Sequence, residues 1–500
     1  MLFLDDLAFG FSIALQPMNL LYGFIGVVLG TVIGVLPGLG PVATISILLP
    51  ITFTLEPQQA MIMLAGIYYG AQYGGSTTAI LVNLPGESSS VVTAIDGYQM
   101  ARKGEAGLAL ATAALASFFA GTVATLIIAL AAPALAEVAL KFGPADYCSL
   151  MVFGLVSAVI LAHGSVVKAI GMILIGMLLG TIGIDVNTSV PRFTFGIPQF
   201  GDGIDFAVIA MGIFGIGETI ANLERGEEQR SLVRAALKLW PSWRDLRTIF
   251  WPALRGTILG SALGVLPGGG PVLASFSAYS VEKKLSKHPE RFGHGAIEGV
   301  AGPEAANNAA AQTSFIPLLT LGLPSNAVMA LMIGALMMHG LHPGPQLMRD
   351  KPELFWGLIA SMWVGNMMLV VLNLPLVGIW AKLLTVPYRL LYPSILLICC
   401  IGVYSINNSA LDVVIASAFG LAGYVLYRLR CEPAPLLLGF ILGPLVEENM
   451  RRALLISHGD AAVFLQRPIS ATFLVLTLAL IVVLAAPAIR IARARAFKES

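Results

Sequence analysis

The chain has 500 residues, a formal net charge of +1, 57% hydrophobic and only 11% charged residues, and a mean hydropathy of +0.84. Soluble domains carry roughly 25% charged residues, so this balance excludes a water-soluble globular protein and predicts an all-α polytopic membrane protein. A nearly neutral chain also lacks the basic footprint of a nucleic-acid binder.

The first landmark is residues 26–42, GVVLGTVIGVLPGLGPV. Proline removes a backbone donor and glycine costs about 1 kcal/mol inside a helix, so Pro37, Gly38 and Gly40 predict a helix broken at that point. Opened backbone at membrane depth is tolerated only where protein or a water-filled cavity satisfies it. Two readings stand: a re-entrant helical hairpin with Pro-Gly at its tip, or a tight turn between two full spans.

Next comes AQYGGSTTAILVNLPGESSS (71–90), a polar cluster around a second break at Pro85. Ser76, Thr77 and Thr78 offer oxygen ligands for a small cation. Ser88, Ser89 and Ser90 follow the proline, where a new helix start exposes free N–H groups and attracts an anion. The competing reading is that such residues only hydrogen-bond between membrane helices.

Apolar runs long enough to span a bilayer follow at Leu108–Ala132 and Val152–Ile184, the latter interrupted by His163 and Lys168. No Lys or Arg precedes Arg102, whereas 222–255 holds Arg225, Arg230, Arg234, Lys238, Arg244, Arg247 and Arg255. The segment LVRAALKLWPSWRDLRTIFW is read either as an amphipathic interfacial helix, with Trp240, Trp243 and Trp251 near the headgroups, or as a solvated linker helix.

Residues 256–272, GTILGSALGVLPGGGPV, then repeat the first motif, with Pro267, Gly268 and Gly270 in place of Pro37, Gly38 and Gly40. The flanks of this copy are basic and therefore cytoplasmic; those of the first carry no Lys or Arg. Opposite flanking charge predicts inverted topology. The second polar cluster, GPEAANNAAAQTSFIPLLTLGLPSN (302–326), mirrors the first around Pro324. Asn307, Asn308, Ser325 and Asn326 are the anion candidates here, and Thr313 and Ser314 the cation candidates. Gly97–Arg102 matches Gly344–Arg349 in the same order.

These anchors predict membrane repeat one at 18–185, a cytoplasmic connector at 222–251, repeat two at 252–430, and a C-terminal segment at 431–500 with a final span near 470–489. The whole is expected to hold roughly 10–14 membrane segments, arranged as two inverted-topology repeats with broken or re-entrant hairpins. Glu87, Asp96 and Glu304 are the acids nearest the polar clusters, either buried or solvated at a loop mouth. No Lys or Arg falls inside either cluster. The four cysteines have no metal-ligand spacing, and no metal beyond a possible Na⁺ is expected. No HExxH occurs, and Phe200-Gly201-Asp202-Gly203 lacks the first glycine of a GxGD motif, which argues against an intramembrane enzyme.

GVVLGTVIGVLPGLGP (26–41), YYGAQYGGSTTAILVNLPGE (68–87), DGYQMARKGEAG (96–107) and GVAGPEAANNAAAQTSFIPLLTLGLPSNAVMALMIGALMMHGLHPGPQL (299–347) closely resemble the large permease subunit of tripartite tricarboxylate transporters. The resemblance implies a multi-pass protein of the bacterial inner membrane. Its partners would be a small membrane subunit and a periplasmic solute-binding protein. Its substrates would be small carboxylates typified by citrate, imported by alternating access and coupled to Na⁺ or H⁺, with no other cofactor. PGGGP replaces PGLGP in the second motif, and SNAV stands opposite GESSS, which leaves the particular carboxylate open. The rival class is an ion or anion channel, since channels also use broken helices and oxygen ligands.

Overall fold

A computed structural model describes residues 3–36, 40–161, 165–185, 188–225, 240–266, 270–383 and 388–485. Four of the hairpin-tip residues (Pro37, Gly38, Pro267 and Gly268), His163 and residues 226–239 of the connector lie outside the described residues. Gly40, Gly270, Pro85 and Pro324 lie within them.

Among the described residues the regular elements are helices apart from one pair of two-residue antiparallel strands, β1 (Gly183–Ile184) and β2 (Pro191–Arg192). The first part comprises α1 (Phe3–Ala14), α2 (Pro17–Val35), α3 (Pro41–Phe53), α4 (Pro57–Val82), α5 (Val91–Met100), α6 (Ala106–Ala139), α7 (Pro144–Leu161) and α8 (Val166–Gly180). Next, α9 (Phe206–Ala210) continues through a π-helical stretch, Met211–Gly217, into α10 (Glu218–Arg225). The second part holds α11 (Trp243–Val265), α12 (Gly270–Leu285), α13 (Glu298–Thr313), α14 (Phe315–Leu321), α15 (Ala327–Met338), α16 (Pro345–Asp350), α17 (Pro352–Asn373), α18 (Val377–Leu383), α19 (Tyr388–Asn407) and α20 (Ala410–Arg428). Then come α21 (Ala434–Ile456), α22 (Val463–Gln466) and α23 (Pro468–Ala485). Pro17, Pro41, Pro57, Pro345 and Pro352 each sit in the first turn of their helix, where the missing N–H has no partner to lose. Helical stretches long and apolar enough to cross a bilayer are Pro17–Val35, Ser88–Ala139, Phe206–Glu224, Pro352–Asn373 and Ala410–Arg428. This is a multi-pass membrane protein.

The two glycine motifs do the same packing job. Gly26, Gly30 and Gly34 of α2 lie on the backbone of Met63, Ile67 and Ala71 in α4. Gly256, Gly260 and Gly264 of α11 lie on Gly302, Ala306 and Ala310 in α13. Four-residue spacing puts the glycines on one helix face, and the missing side chains let backbones meet where no hydrophobic drive between helices exists. Each motif thereby fixes α2 to α4 and α11 to α13.

The helices so held, α4 and α13, are the centre of the molecule. Ala60 to Val82 and Gly299 to Thr313 are buried throughout, polar side chains included. Their surroundings are apolar and aromatic, with Tyr69 against Phe315 at 6.1 Å between ring centroids. Both paths then break alike. α4 ends on Asn83 in the left-handed conformation (φ 58°) and α14 on Gly322 (φ 68°), each two residues before Pro85 or Pro324. A left-handed residue stops the helix, and a proline soon after prevents its resumption.

A second set of glycines exchanges helices between the two parts of the chain. Gly176 and Gly180 of α8 pack on Leu436 and Phe440 of α21, and Gly439 and Gly443 return the contact at Ile173 and Met177. Gly212 packs on Ala416, and Gly420 and Gly423 of α20 on Ile216 and Ile213. Helix 206–217 therefore docks on the later α20, and α21 on the earlier α8.

The packing carries a direct stability prediction. Gly260→Ala drives a Cβ to 2.7 Å from the Ala306 Cα and should lower the thermal unfolding midpoint in detergent, an overpacking cost of about 1–3 kcal/mol. Gly171→Ala, in α8 with nothing within 4 Å, should leave the midpoint unchanged or raise it.

Candidate functional site

The polar residues of α4 and α13 meet side chains from α5, α6 and α17 and the turns after both breaks. They fall into two adjoining groups.

The first group surrounds the turns. Asn307 Nδ2 donates to Glu87 Oε1 at 3.1 Å, and Ser89 Oγ donates to the same oxygen at 2.6 Å. Ser89 also reaches Gln72 Oε1 at 3.4 Å. Asn326 caps α15, its Oδ1 accepting from Met329 N at 3.0 Å, and its Nδ2 donates to Ser314 Oγ at 3.2 Å. Two atoms are left over: Asn307 Oδ1 and Ser325 Oγ are buried without a hydrogen-bond partner, in residues each 1% exposed. Such groups cost about 1–3 kcal/mol each unless something binds them.

The second group surrounds Glu304, itself 1% exposed. Ser76 Oγ donates to its Oε1 at 2.7 Å, Thr93 Oγ1 donates to the same oxygen, and Ser117 Oγ donates to Oε2 at 3.3 Å. Asn308 Nδ2 supports Ser117 at 2.7 Å. A cavity of about 10 Å³, room for one water, lies beside the carboxylate and is lined by Tyr73, Ser76, Thr77, Ser117, Glu304 and Asn373. Among the described residues no Lys or Arg hydrogen-bonds to Glu87 or Glu304.

The remaining sequence candidates do local work. Thr78 Oγ1 donates to the Val35 carbonyl at 2.9 Å, and Ser314 Oγ, bonded to Ala310 O at 2.7 Å, also reaches the Gly264 carbonyl at 3.3 Å. Val35 and Gly264 both belong to the last turn before a Pro-Gly motif, so each hydroxyl satisfies backbone freed by the break. Thr313 bonds back to Ala309 at 3.0 Å and Ser90 to Glu87 at 2.9 Å. Ser88 is exposed. Of the three acids, Asp96 is structural: its Oδ1 accepts N–H bonds from Gly293, Gly295 and Ala296 at 2.7–2.9 Å, and its Oδ2 accepts the Tyr279 hydroxyl at 2.9 Å.

The family model for the tripartite tricarboxylate transporter TctA family matches residues 20–438. The chain belongs to the TctA family. An Agrobacterium vitis relative, named only as an uncharacterized 52.8 kDa protein in the TAR-I ttuC' 3' region, is 61% identical over 496 residues, 99% of both chains. A second A. vitis protein, named by its place in the TAR-II ttuC' 3' region, is 62% identical over 240 residues, 48% of this chain and 99% of its own length. No solved structure matches.

In this TctA-family chain, sequence reasoning missed Gln72, Thr93, Ser117 and Asn373. Thr93 and Ser117 look like the other scattered polar residues of α5 and α6, such as Thr112 and Thr125, and nothing in their neighbourhood announces Glu304. Asn373 did carry a signal, as one of few polar side chains in the Phe355–Leu374 run.

Asp96→Ala strips three backbone donors of their acceptor. It should destabilise the protein by about 2–5 kcal/mol, since each buried orphan costs roughly 1–3. The measurement is the unfolding midpoint and the yield of inserted protein. Asp96→Asn keeps one acceptor oxygen and should lose less.

Proposed function

We propose that the chain is the large membrane subunit of a binding-protein-dependent tripartite system in the bacterial inner membrane. It imports small carboxylates of the citrate class by alternating access, coupled to Na⁺ or H⁺, and it is a carrier rather than an enzyme. Its partners are a periplasmic solute-binding protein and a small membrane subunit. The family supplies the transport class, and the turn after Pro324 supplies the substrate site.

One observation carries the site: Ser325 Oγ and Asn307 Oδ1 are buried beside two opened turns with nothing bonded to them. The Ser325 hydroxyl can donate to a carboxylate, next to the positive N-terminal end of α15. Asn307 Oδ1 can only accept, which suits a substrate hydroxyl or a protonated carboxyl. Glu87 lies on the other side of Asn307. An anion beside that acid needs a proton or cation for company, which favours symport over uniport. One part of the molecule is proposed to move against the other around this site, and the sequence-defined halves, 18–185 and 252–430, are proposed to have inverted topology.

The test is uptake of labelled citrate into membrane vesicles carrying the full system. Ser325→Ala should lower uptake by about tenfold or more, as expected for one hydrogen bond to a charged group, and Asn307→Ala should lower it by a smaller factor, as expected for accepting from a neutral hydroxyl. Both variants should still insert at normal levels. Unchanged uptake kinetics in both would remove this turn from the substrate path, and failure of labelled substrate to exchange in counterflow would point to a channel.

A further inference from the structure

The cavity beside Glu304 differs in character from the turn site. It holds a single carboxylate, the hydroxyl residues Ser76, Thr77 and Ser117, and one more acceptor, with Thr93 bonded to the carboxylate from outside the lining. That acceptor is Asn373 Oδ1. The Asn373 amide nitrogen is engaged by the Leu369 carbonyl at 2.9 Å, while its Oδ1 is buried without a donor in a residue 6% exposed. Asn373 is also the last residue of α17, so it stands at the end of the helix where the dipole is negative.

The polar part of the lining favours positive charge, while Leu110, Ala113 and Ala114 close the remaining wall. The hydroxyls of Ser76, Thr93 and Ser117 donate to Glu304 and retain acceptor capacity, although Ser117 Oγ already accepts from Asn308 Nδ2. The amide oxygen is an acceptor with nothing to accept. A carboxylate held at membrane depth with no cationic side chain bonded to it is costly on its own. One negative charge among neutral oxygens matches a monovalent ion; among the described residues no three His, Cys, Asp or Glu side chains gather as a divalent or transition-metal site would require. The space admits one water-sized particle, so the ion would enter stripped of most of its hydration, its shell replaced by protein oxygens.

We infer that the Glu304 cavity, lined by Ser76, Ser117 and Asn373 and joined by Thr93, binds one monovalent metal cation of the Na⁺ type. The inference deepens the transport reading and rests on it for its purpose, since this ion is then the one whose gradient drives uptake. Glu304 and Glu87 sit on the same two-part polar core, two residues separating Glu304 from Asn307, which itself bonds Glu87. Cation occupancy at the cavity thus offsets negative charge next to the place where the anion is to bind.

The test needs no carboxylate. Thermal unfolding of the purified full-length chain is followed in NaCl and in equimolar choline chloride at constant pH. Na⁺ should raise the wild-type midpoint in a saturable way. Glu304→Gln should abolish that rise. Asn373→Ala, which removes an unpartnered oxygen and so spares the fold, should weaken apparent Na⁺ affinity by about tenfold or more. Should Glu304→Gln fail to fold, Asn373→Ala and Ser117→Ala carry the comparison. A wild type indifferent to Na⁺ overturns the inference, whether the cavity then holds only a water or responds only to protons. So does a Na⁺ shift that survives undiminished in the variants. Failure of Ser325 and Asn307 in the citrate assay would leave the Na⁺ shift standing, so the two ideas fail separately.

Discussion

Backbone opened inside a bilayer must find partners in the protein, and most of the polar chemistry in this molecule answers that demand. α4 and α14 stop at Asn83 and Gly322, and the chain then turns through a proline. Gly86 N turns back to the Gly75 carbonyl at 3.4 Å, and Leu323 N to the Pro317 carbonyl at 3.1 Å. Thr78 and Ser314 reach across to carbonyls of the glycine motifs. Once those debts are settled, few buried polar atoms remain unspoken for. Asn307 Oδ1, Ser325 Oγ and Asn373 Oδ1 are among them, and all three lie in or beside the polar core. Gln58 Nε2, Tyr69 Oη, Ser261 Oγ and His339 Nε2 are the others among the described residues.

The glycines make this possible mechanically. By bringing α2 onto α4 and α11 onto α13 at backbone contact, they hold each broken helix along its length, so the interruption stays local. The exchanged pairs, α8 with α21 and helix 206–217 with α20, bind early chain to late chain outside this centre. Glu304 adds a third kind of tie, since its hydroxyl donors come from α4, α5 and α6 while the acid itself belongs to α13. A charge that rearranges at Glu304 would be felt by four helices at once, which is the sort of linkage an ion-coupled carrier requires.

How much of this was legible depended on whether a feature is local. The membrane class, the helical fold and the two breaks were readable, because hydropathy, glycine spacing and proline are properties of neighbouring residues. The repeated motif was read as a helix break and not as a packing face, yet Gly30 and Gly260 need the same backbone clearance. The helix exchange was not visible: Gly176 and Gly439 are ordinary small residues until the fold sets them opposite each other. The polar clusters were found as groups but not resolved into roles. Thr313 bonding its own helix and Ser76 bonding a distant carboxylate look alike in a sequence. Whether Asp96 would be solvated or buried depended on a loop, 293–296, nearly two hundred residues away in the chain.

At the centre of the account is the proposal that a small carboxylate binds where two interrupted helices leave the Ser325 hydroxyl and Asn307 Oδ1 without partners. The most direct measurement is a cryo-electron microscopy map of the complete transporter prepared with a saturating carboxylate substrate. The account predicts ligand density bounded by Ser325, Asn307 and the turn at 86–89, at the start of α15. Density bound elsewhere, with Ser325 and Asn307 closed against protein atoms, would contradict it.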